Sequence, residues 1–265
     1  MSDQQPAPAP TAPVLESMNV GMILDKAIHL YARDFLLLVA ITAIPSVVYS
    51  VASSRIQAAT TASSPFAVLG SLVMLILSTV LYGIAGGAMT VVVSSRYLGR
   101  HITFGAAYRA AFRKSGPIVG AKLLSALLIS LGFTGLIVPG VILALSYTLI
   151  SPVIMLEQIK ATESPRRSRL LMKGYRWQAL LLFLVYGVVL YPAAYLFGRL
   201  ASAIVATTGG GLFVSLVSQV LVMLTTVLLG PFSSVLSVLI YYNQRIKKES
   251  FDLAFLAEAM AHHAA

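Results

Sequence analysis

The side chains that most often do chemistry in proteins are few in this chain and do not cluster. There is no cysteine, so thiol catalysis, disulfides and thiolate metal sites are excluded. His29 and His101 are far apart, and His262 and His263 are neighbours near the end, so surface histidines are expected rather than a metal site. A phosphate-binding Gly-Lys-Ser/Thr loop, a Gly-flanked nucleophilic serine and paired metal-binding histidines are all absent from the sequence. The sequence therefore predicts a non-enzymatic protein without a metal or other cofactor.

Polar side chains within the long apolar runs are equally rare. The nine carboxylates all fall outside these runs, which argues against a proton-coupled carrier, because such carriers keep ionisable groups inside the bilayer. Lys122 lies a few residues into one run, and we expect its side chain to extend back to the headgroups. Gln219 is the most polar side chain well inside a run. We expect an interhelical hydrogen bond for it, with a substrate-lining position as the alternative.

The elements that carry these residues are long apolar helices. The chain is 58% hydrophobic and 11% charged, whereas soluble domains are about 45–50% apolar and about a quarter charged. A membrane helix needs about 20 apolar residues to cross a hydrocarbon core of about 30 Å. The sequence predicts an all-α, polytopic transmembrane bundle with six spans, at Phe35–Ser53, Phe66–Ser94, Ile118–Phe133, Leu136–Leu156, Ala179–Phe197 and Leu212–Tyr242.

The third and fourth runs are separated only by a short segment that contains Gly132 and Gly135, with Pro139-Gly140 just beyond. As a single helix they would be about twice as long as the hydrocarbon core is thick. We therefore predict a tight hairpin at this point.

Basic residues orient the predicted spans. Seventeen of the nineteen Lys and Arg residues fall on one side of the spans, and only Arg55 and Arg199 fall on the other. The positive-inside rule then places both termini in the cytoplasm. The net charge of +10 fits contact with anionic headgroups, which we prefer to nucleic-acid binding.

A basic amphipathic segment precedes each pair of spans, and the three segments align without gaps: Gly21–Arg33, Gly105–Pro117 and Pro165–Trp177. In the third, basic residues follow one helical face and Leu171, Met172 and Tyr175 follow the other. We expect these helices at the membrane surface with their apolar side in lipid. The pattern predicts three repeats of interfacial helix plus transmembrane hairpin, with chance similarity as the alternative. The predicted headgroup contacts are Arg109, Arg113, Arg166, Arg169, Lys173, Arg176 and Arg245.

The end of the sixth run carries a family resemblance. The stretch from Tyr241 to Leu253, together with Asn19–Phe35 and Pro152–Trp177, resembles the glycerophosphoryl diester phosphodiesterase membrane-domain family. Asn243 stands where that family usually has aspartate, and Ser250 where it usually has glycine. The resemblance implies a multi-pass protein of a prokaryotic cytoplasmic (inner) membrane in a lipid-related setting. It does not imply hydrolysis, because the chain has no room for the family's catalytic barrel.

Physically, the same stretch reads as a helix end at the membrane interface. Tyr241 and Tyr242 suit the headgroup belt, and Phe251 can fold back onto the surface as a third anchor. A ligand site formed by these residues with the amphipathic segments is the alternative. Residues 1–17 are predicted to be a disordered cytoplasmic tail, 18–253 the six-span domain and 254–265 a short cytoplasmic C-terminal tail.

Two functions fit this architecture. The first is a non-enzymatic membrane protein that contacts or organises anionic lipids or partner proteins at the cytoplasmic face. The second is a facilitator or permease subunit for a small or lipid-like substrate. Both are compatible with a membrane-protein partner or a homo-oligomer. A polar cavity at mid-membrane around Gln219 would favour transport, and a closed apolar bundle would oppose it.

Overall fold

The structure is a computed structural model that describes residues 18–59, 66–208 and 212–249. Over these residues the chain forms ten α-helices and no strand. The predicted tails at 1–17 and 254–265 and the predicted anchor Phe251 lie outside the described residues. The helices are α1 Val20–Arg33, α2 Phe35–Ala59, α3 Ala67–Tyr97, α4 Phe104–Arg113, α5 Ser115–Gly135, α6 Ile137–Ser146, α7 Ile150–Glu157, α8 Ser164–Met172, α9 Arg176–Thr208 and α10 Leu212–Glu249.

Five helical segments in the described part are long and apolar enough to cross a membrane. They are Phe35–Ile56, Ala67–Tyr97, Ser115–Gly135, Ile137–Glu157 and Gln219–Glu249. Helix α9 is continuous over 33 residues and contains two shorter apolar segments, Arg176–Val188 and Ala194–Thr207. The chain therefore has the helices of a multi-pass membrane protein.

Large apolar side chains point outward from these helices. Leu36, Val68 and Ile137 are 80%, 71% and 72% exposed. Contiguous apolar exposure of this kind makes a water-soluble protein associate or aggregate. In a bilayer it has no such consequence, since lipid tails are as apolar as the side chains.

The interior is built around α10, which packs against α9, α2, α1 and α3. The facing part of α3 is a run of small residues, in which Ala85 and Ala88 are fully buried. A Cβ added at Gly87 would lie 2.8 Å from Ile118 Cδ1 of α5, so a larger residue there would require the Ile118 side chain to shift. Small residues let helix backbones approach closely, which is how membrane helices gain van der Waals contact.

The predicted hairpin between the third and fourth runs is confirmed. Helix α5 ends at Gly135, Leu136 is extended, and α6 begins at Ile137. A Cβ on Gly132 would lie 3.1 Å from the Cα of Gly140, so the two helices touch backbone to backbone just after the turn.

The fourth predicted span is interrupted, which the sequence did not indicate. Helix α6 ends at Ser146 and α7 begins at Ile150, with turn residues Tyr147, Thr148 and Leu149 between them. Breaks of this kind are tolerated inside a membrane where the backbone is buried in protein or lines a polar cavity.

Helices α1, α4 and α8 are short, and each directly precedes a long apolar helix. They lie at the end of the bundle where α3, α7 and α10 end, which we call the basic end. Ala27, Ala111 and Leu171 share one position in the sequence alignment and are all buried, at 0%, 0% and 2% exposure.

The expectation that the apolar face of α8 lies in lipid is wrong. Met172 and Tyr175 are 0% and 4% exposed and belong, with Leu171, to the protein core. Helix α8 packs on α10, α7 and α6, so its apolar face is covered by the bundle. Burial in protein and burial in lipid demand the same apolar pattern, which is why periodicity alone did not distinguish them.

Candidate functional site

The predicted headgroup contacts on α4 and α8 are exposed at the basic end. Arg109, Arg113, Arg166 and Lys173 are exposed, and none lies within 4.0 Å of a carboxylate in the described part of the chain. Arg169 is also exposed, and its guanidinium donates to Tyr147 Oη at 2.5 Å. These side chains all lie at the basic end, and together we call them the basic surface.

Two other predicted contacts differ. Arg176 is half-buried and its Nε is buried without a hydrogen-bond partner. Arg245 lies in a protein network, so its assignment as a headgroup contact is corrected: its Nε donates to Glu249 Oε2 at 2.8 Å and its NH1 to Tyr241 Oη at 3.0 Å. The Arg245 side chain is only 18% exposed, so its guanidinium lies among acceptors of the protein itself.

Glu157, at the end of α7, is the centre of that network. Arg167 of α8 donates to it twice, from Nε to Oε2 at 2.6 Å and from NH2 to Oε1 at 3.1 Å. Arg167 also pairs with Glu249 at 2.6 Å. Desolvation opposes the charge of Arg167, but hydrogen bonds and attraction from Glu157 and Glu249 outweigh it, so the pKa of Arg167 is raised. The network joins α7, α8 and α10 and uses both carboxylates.

Tyr241 and Tyr242 are not headgroup anchors, which corrects the sequence interpretation. They are 1% and 2% exposed. Tyr241 Oη donates to Glu157 Oε1 at 3.1 Å, and Tyr242 Oη shares a 2.6 Å hydrogen bond with Ser94 Oγ of α3. Tyrosines at an interface and tyrosines satisfied in a core look alike in sequence, because both combine an apolar ring with a hydrogen-bonding tip.

Asn243 of α10 binds the backbone of Met18, the first described residue. Its Oδ1 accepts from Met18 N at 2.9 Å and its Nδ2 donates to Met18 O at 3.2 Å, with the side chain fully buried. An aspartate could accept the first bond but not donate the second. The asparagine therefore fits this position by its chemistry.

Gln219 lies on α10 facing α2, where Ser50 Oγ is 3.4 Å from its Oε1. Gln219 lines neither of the two polar cavities described below.

The side chain of Lys122 faces α3 and runs towards the basic end, from the level of Gly83 to that of Gly86. Its side chain lies along α3, so that a Cβ on Gly83 would be 3.5 Å from Lys122 Cδ and one on Gly86 would be 3.8 Å from Nζ. The glycines leave the space that the lysine occupies. The sequence signal for this arrangement is a lysine within an apolar run together with a glycine pair in the neighbouring helix.

Two cavities of about 360 and 290 Å³ meet around this lysine. Both are lined by Tyr82, Lys122, Thr148 and Ser151. The first extends to Ser78, Thr79 and Ser125, and the second to Thr42, Thr90, Thr226 and the serines of the middle of α10. Neither is lined by a carboxylate.

Over the described residues, no group of three or more His, Asp or Glu side chains is arranged to hold a metal ion. In comparisons with known proteins, no family model, curated protein sequence or solved structure matches this chain.

Proposed function

We propose that this chain is a six-span protein of a prokaryotic cytoplasmic membrane whose basic end faces the cytoplasm and binds anionic lipid headgroups. The observation that carries this is the basic surface: its arginines and lysine on α4 and α8 are exposed, while the nearby carboxylates Asp34, Glu157 and Glu249 are already paired with Arg96, Arg167 and Arg245. Since these side chains have no carboxylate within 4.0 Å in the described part of the chain, anionic headgroups can bind them.

The six-span arrangement is supported by α9, whose 33 residues would span about 50 Å, more than the hydrocarbon core requires. With α9 as a span, the uneven distribution of Lys and Arg supports cytoplasmic termini. Each of the short helices α1, α4 and α8 is followed by a long apolar helix. This repeated order supports the three-repeat organisation.

The resemblance to the phosphodiesterase membrane-domain family is part of the same proposal. The residues that carry it, Tyr241–Arg245, hold the basic end together through Glu157 and Met18. The proposed role is structural and lipid-binding, without catalysis. A partner membrane protein or a second copy of the chain would bind through the same end or through the apolar outer surface.

A facilitator for a small polar or lipid-like substrate is the second candidate function. The observation that favours it is the pair of polar cavities within the bundle, which reach Tyr82, the middle residue of α3. Uptake into proteoliposomes that exceeds uptake into protein-free vesicles would favour this function over the first.

Lipid binding is tested with variants matched in charge. Arg166→Gln with Lys173→Gln removes two charges from the basic surface, and Arg55→Gln with Arg199→Gln removes two exposed charges from the opposite side. Each basic side chain near an anionic surface contributes about 1 kcal/mol, so the first pair should weaken binding about 30-fold. Native mass spectrometry with phosphatidylglycerol against phosphatidylcholine measures it.

The attraction should also weaken as salt shortens the Debye length from about 10 Å at 0.1 M. The second pair of substitutions should leave the preference for phosphatidylglycerol near the wild-type value. Equal losses of affinity for phosphatidylglycerol in the two double variants would mean that net charge alone sets the affinity. That result would refute the proposed surface.

A further inference from the structure

We infer that the cavity around Lys122 is a binding site for a phosphate-type oxyanion, either the headgroup of a phospholipid or a dissolved phosphate compound. The residues of this site lie on other helices than those of the basic surface, although Tyr147 of the larger cavity accepts a hydrogen bond from Arg169 of that surface. The inference does not depend on the function proposed for that surface.

The first argument is charge. Lys122 is seven residues from the start of α5, which places it about 10 Å along the helix from the basic end. An ammonium group at such depth is costly unless it is paired, because desolvation favours the neutral form of every buried ion. Neither cavity has a carboxylate in its lining, and in the described part of the chain Lys122 has neither a hydrogen bond nor an ion pair. A bound anion would supply the counter-ion that the lining of the two cavities lacks.

The second argument is an independent set of unused hydroxyl groups. Ser125, one turn beyond Lys122 on α5, is 4% exposed, lines the larger cavity, and its Oγ has no hydrogen-bond partner. Ser151 faces both cavities and also has no hydrogen bond among the described residues. Buried polar groups in proteins are nearly always paired, so the buried, unpaired hydroxyl of Ser125 indicates a hydrogen-bond partner within the cavity.

The third argument is the interruption of the fourth span. Helix α7 begins at Ile150, beside the cavities, with Ser151 in its first turn. The amino-terminal end of a helix carries a partial positive charge, and interrupted membrane helices commonly direct this end at anionic groups. The break at Tyr147–Leu149 thus adds a favourable field next to the lysine.

These groups select the ligand by chemistry. An ammonium supplies three donors and no acceptor, and the two hydroxyls add further donors, which match the several acceptor oxygens of a tetrahedral oxyanion. A cation would find no carboxylate in the cavity lining. The space, about 360 Å³ in the larger cavity, accommodates a headgroup-sized molecule.

The test uses two probes with delipidated, detergent-solubilised full chain. One arm measures radiolabelled inorganic phosphate by equilibrium dialysis. The other measures dioctanoyl phosphatidylglycerol against dioctanoylglycerol by native mass spectrometry, in a background of Arg166→Gln with Lys173→Gln to remove binding at the basic surface.

Lys122→Met should weaken binding by about tenfold or more, the size of one charge-assisted hydrogen bond, and Ser125→Ala by about threefold. Lys160→Met changes an exposed lysine away from the cavities and should leave affinity unchanged. Neither cavity substitution removes a partner from another group, so both variants should unfold at or above the wild-type temperature without ligand. Should Lys122→Met fail to fold, the Ser125→Ala arm still decides the question.

Loss of phosphate binding in the cavity variants supports the site and assigns it to a dissolved oxyanion. Loss confined to phosphatidylglycerol supports the site and assigns it to a lipid headgroup. Affinities for both probes that are the same in wild type, Lys122→Met and Ser125→Ala, or no binding by the wild type in either arm, would overturn the inference.

Discussion

Neutralising Glu157 should destabilise the basic end more than any other single charge substitution there. Glu157 is 10% exposed and accepts from Arg167 and Tyr241, with Arg245 at 3.8 Å. With glutamine in its place, the two guanidinium groups share only Glu249. Removing one partner of a fully buried ion pair costs about 3–5 kcal/mol.

That cost must be reduced for the water that reaches this network. The side chains of Arg167 and Arg245 are 26% and 18% exposed, and both keep Glu249 as a partner. We therefore expect Glu157→Gln to lower the free energy of unfolding by about 2 kcal/mol. Unfolding is followed by helical circular dichroism as a denaturing detergent is added to mixed micelles.

The matched control is Glu163→Gln, which removes an exposed carboxylate that has no ion pair in the described part of the chain. Its effect should stay within about 0.5 kcal/mol of zero. Adding Arg167→Gln to Glu157→Gln should cost less than the sum of the two single changes, since each has already broken the shared contact. If the Glu157 and Glu163 variants were equally stable, the network would not hold the basic end together.

Two further substitutions test packing and titration. Gly132→Ala should lower the free energy of unfolding by about 1–3 kcal/mol, because its Cβ would lie 3.1 Å from the backbone of Gly140. The control is Gly135→Ala, whose Cβ meets no atom within 4 Å and which should be neutral or stabilising. Similar losses of stability in the two variants would contradict the hairpin geometry. Tyr108→Phe should cost about 1 kcal/mol at neutral pH, since Tyr108 Oη donates to Ile41 O at 2.6 Å. Burial raises the pKa of Tyr108 to about 12 from 10.0. Between these two values the folded state keeps a proton that the unfolded state loses. The stability advantage of the wild type over Tyr108→Phe is therefore complete below pH 10 and is lost as the pH rises towards 12. An advantage that persisted unchanged at pH 12 in paired unfolding titrations would refute this account.

Elements defined by local pattern were predictable from the sequence. The apolar runs predicted the long helices, and Gly132 with Gly140 marked the hairpin that the structure shows. Contacts between distant segments were not predictable. The pairs of Glu157 with Arg167 and Arg245 depend on how α7, α8 and α10 meet, and no local periodicity reports that.

The contact of Lys122 with α3 was not predictable for the same reason. A lysine near the start of a membrane helix reaches the headgroups when it faces lipid, and it stays in the bundle when a neighbouring helix leaves room. Which of these holds depends on the rotation of α5 about its axis. Gly83 and Gly86 of α3 decide it, and they are nearly forty residues away in the sequence.

Charge balance connects the two sites proposed for this chain. The sequence carries a net charge of +10, and at the basic end the buried or partly buried carboxylates Asp34, Glu157 and Glu249 pair with arginines that are themselves partly buried. This arrangement is what desolvation demands, because an unpaired charge is most costly where water is scarce. The exposed cations of α4 and α8 can remain unpaired at little cost, so for them an anionic membrane adds attraction. Lys122 is only partly exposed and so has less of this freedom, and the hydroxyl groups that line the same cavities supply donors and no charge. An external anion therefore gains more in the cavity than at the basic surface, and the cavity should lose its ligand less readily than the surface as salt is raised.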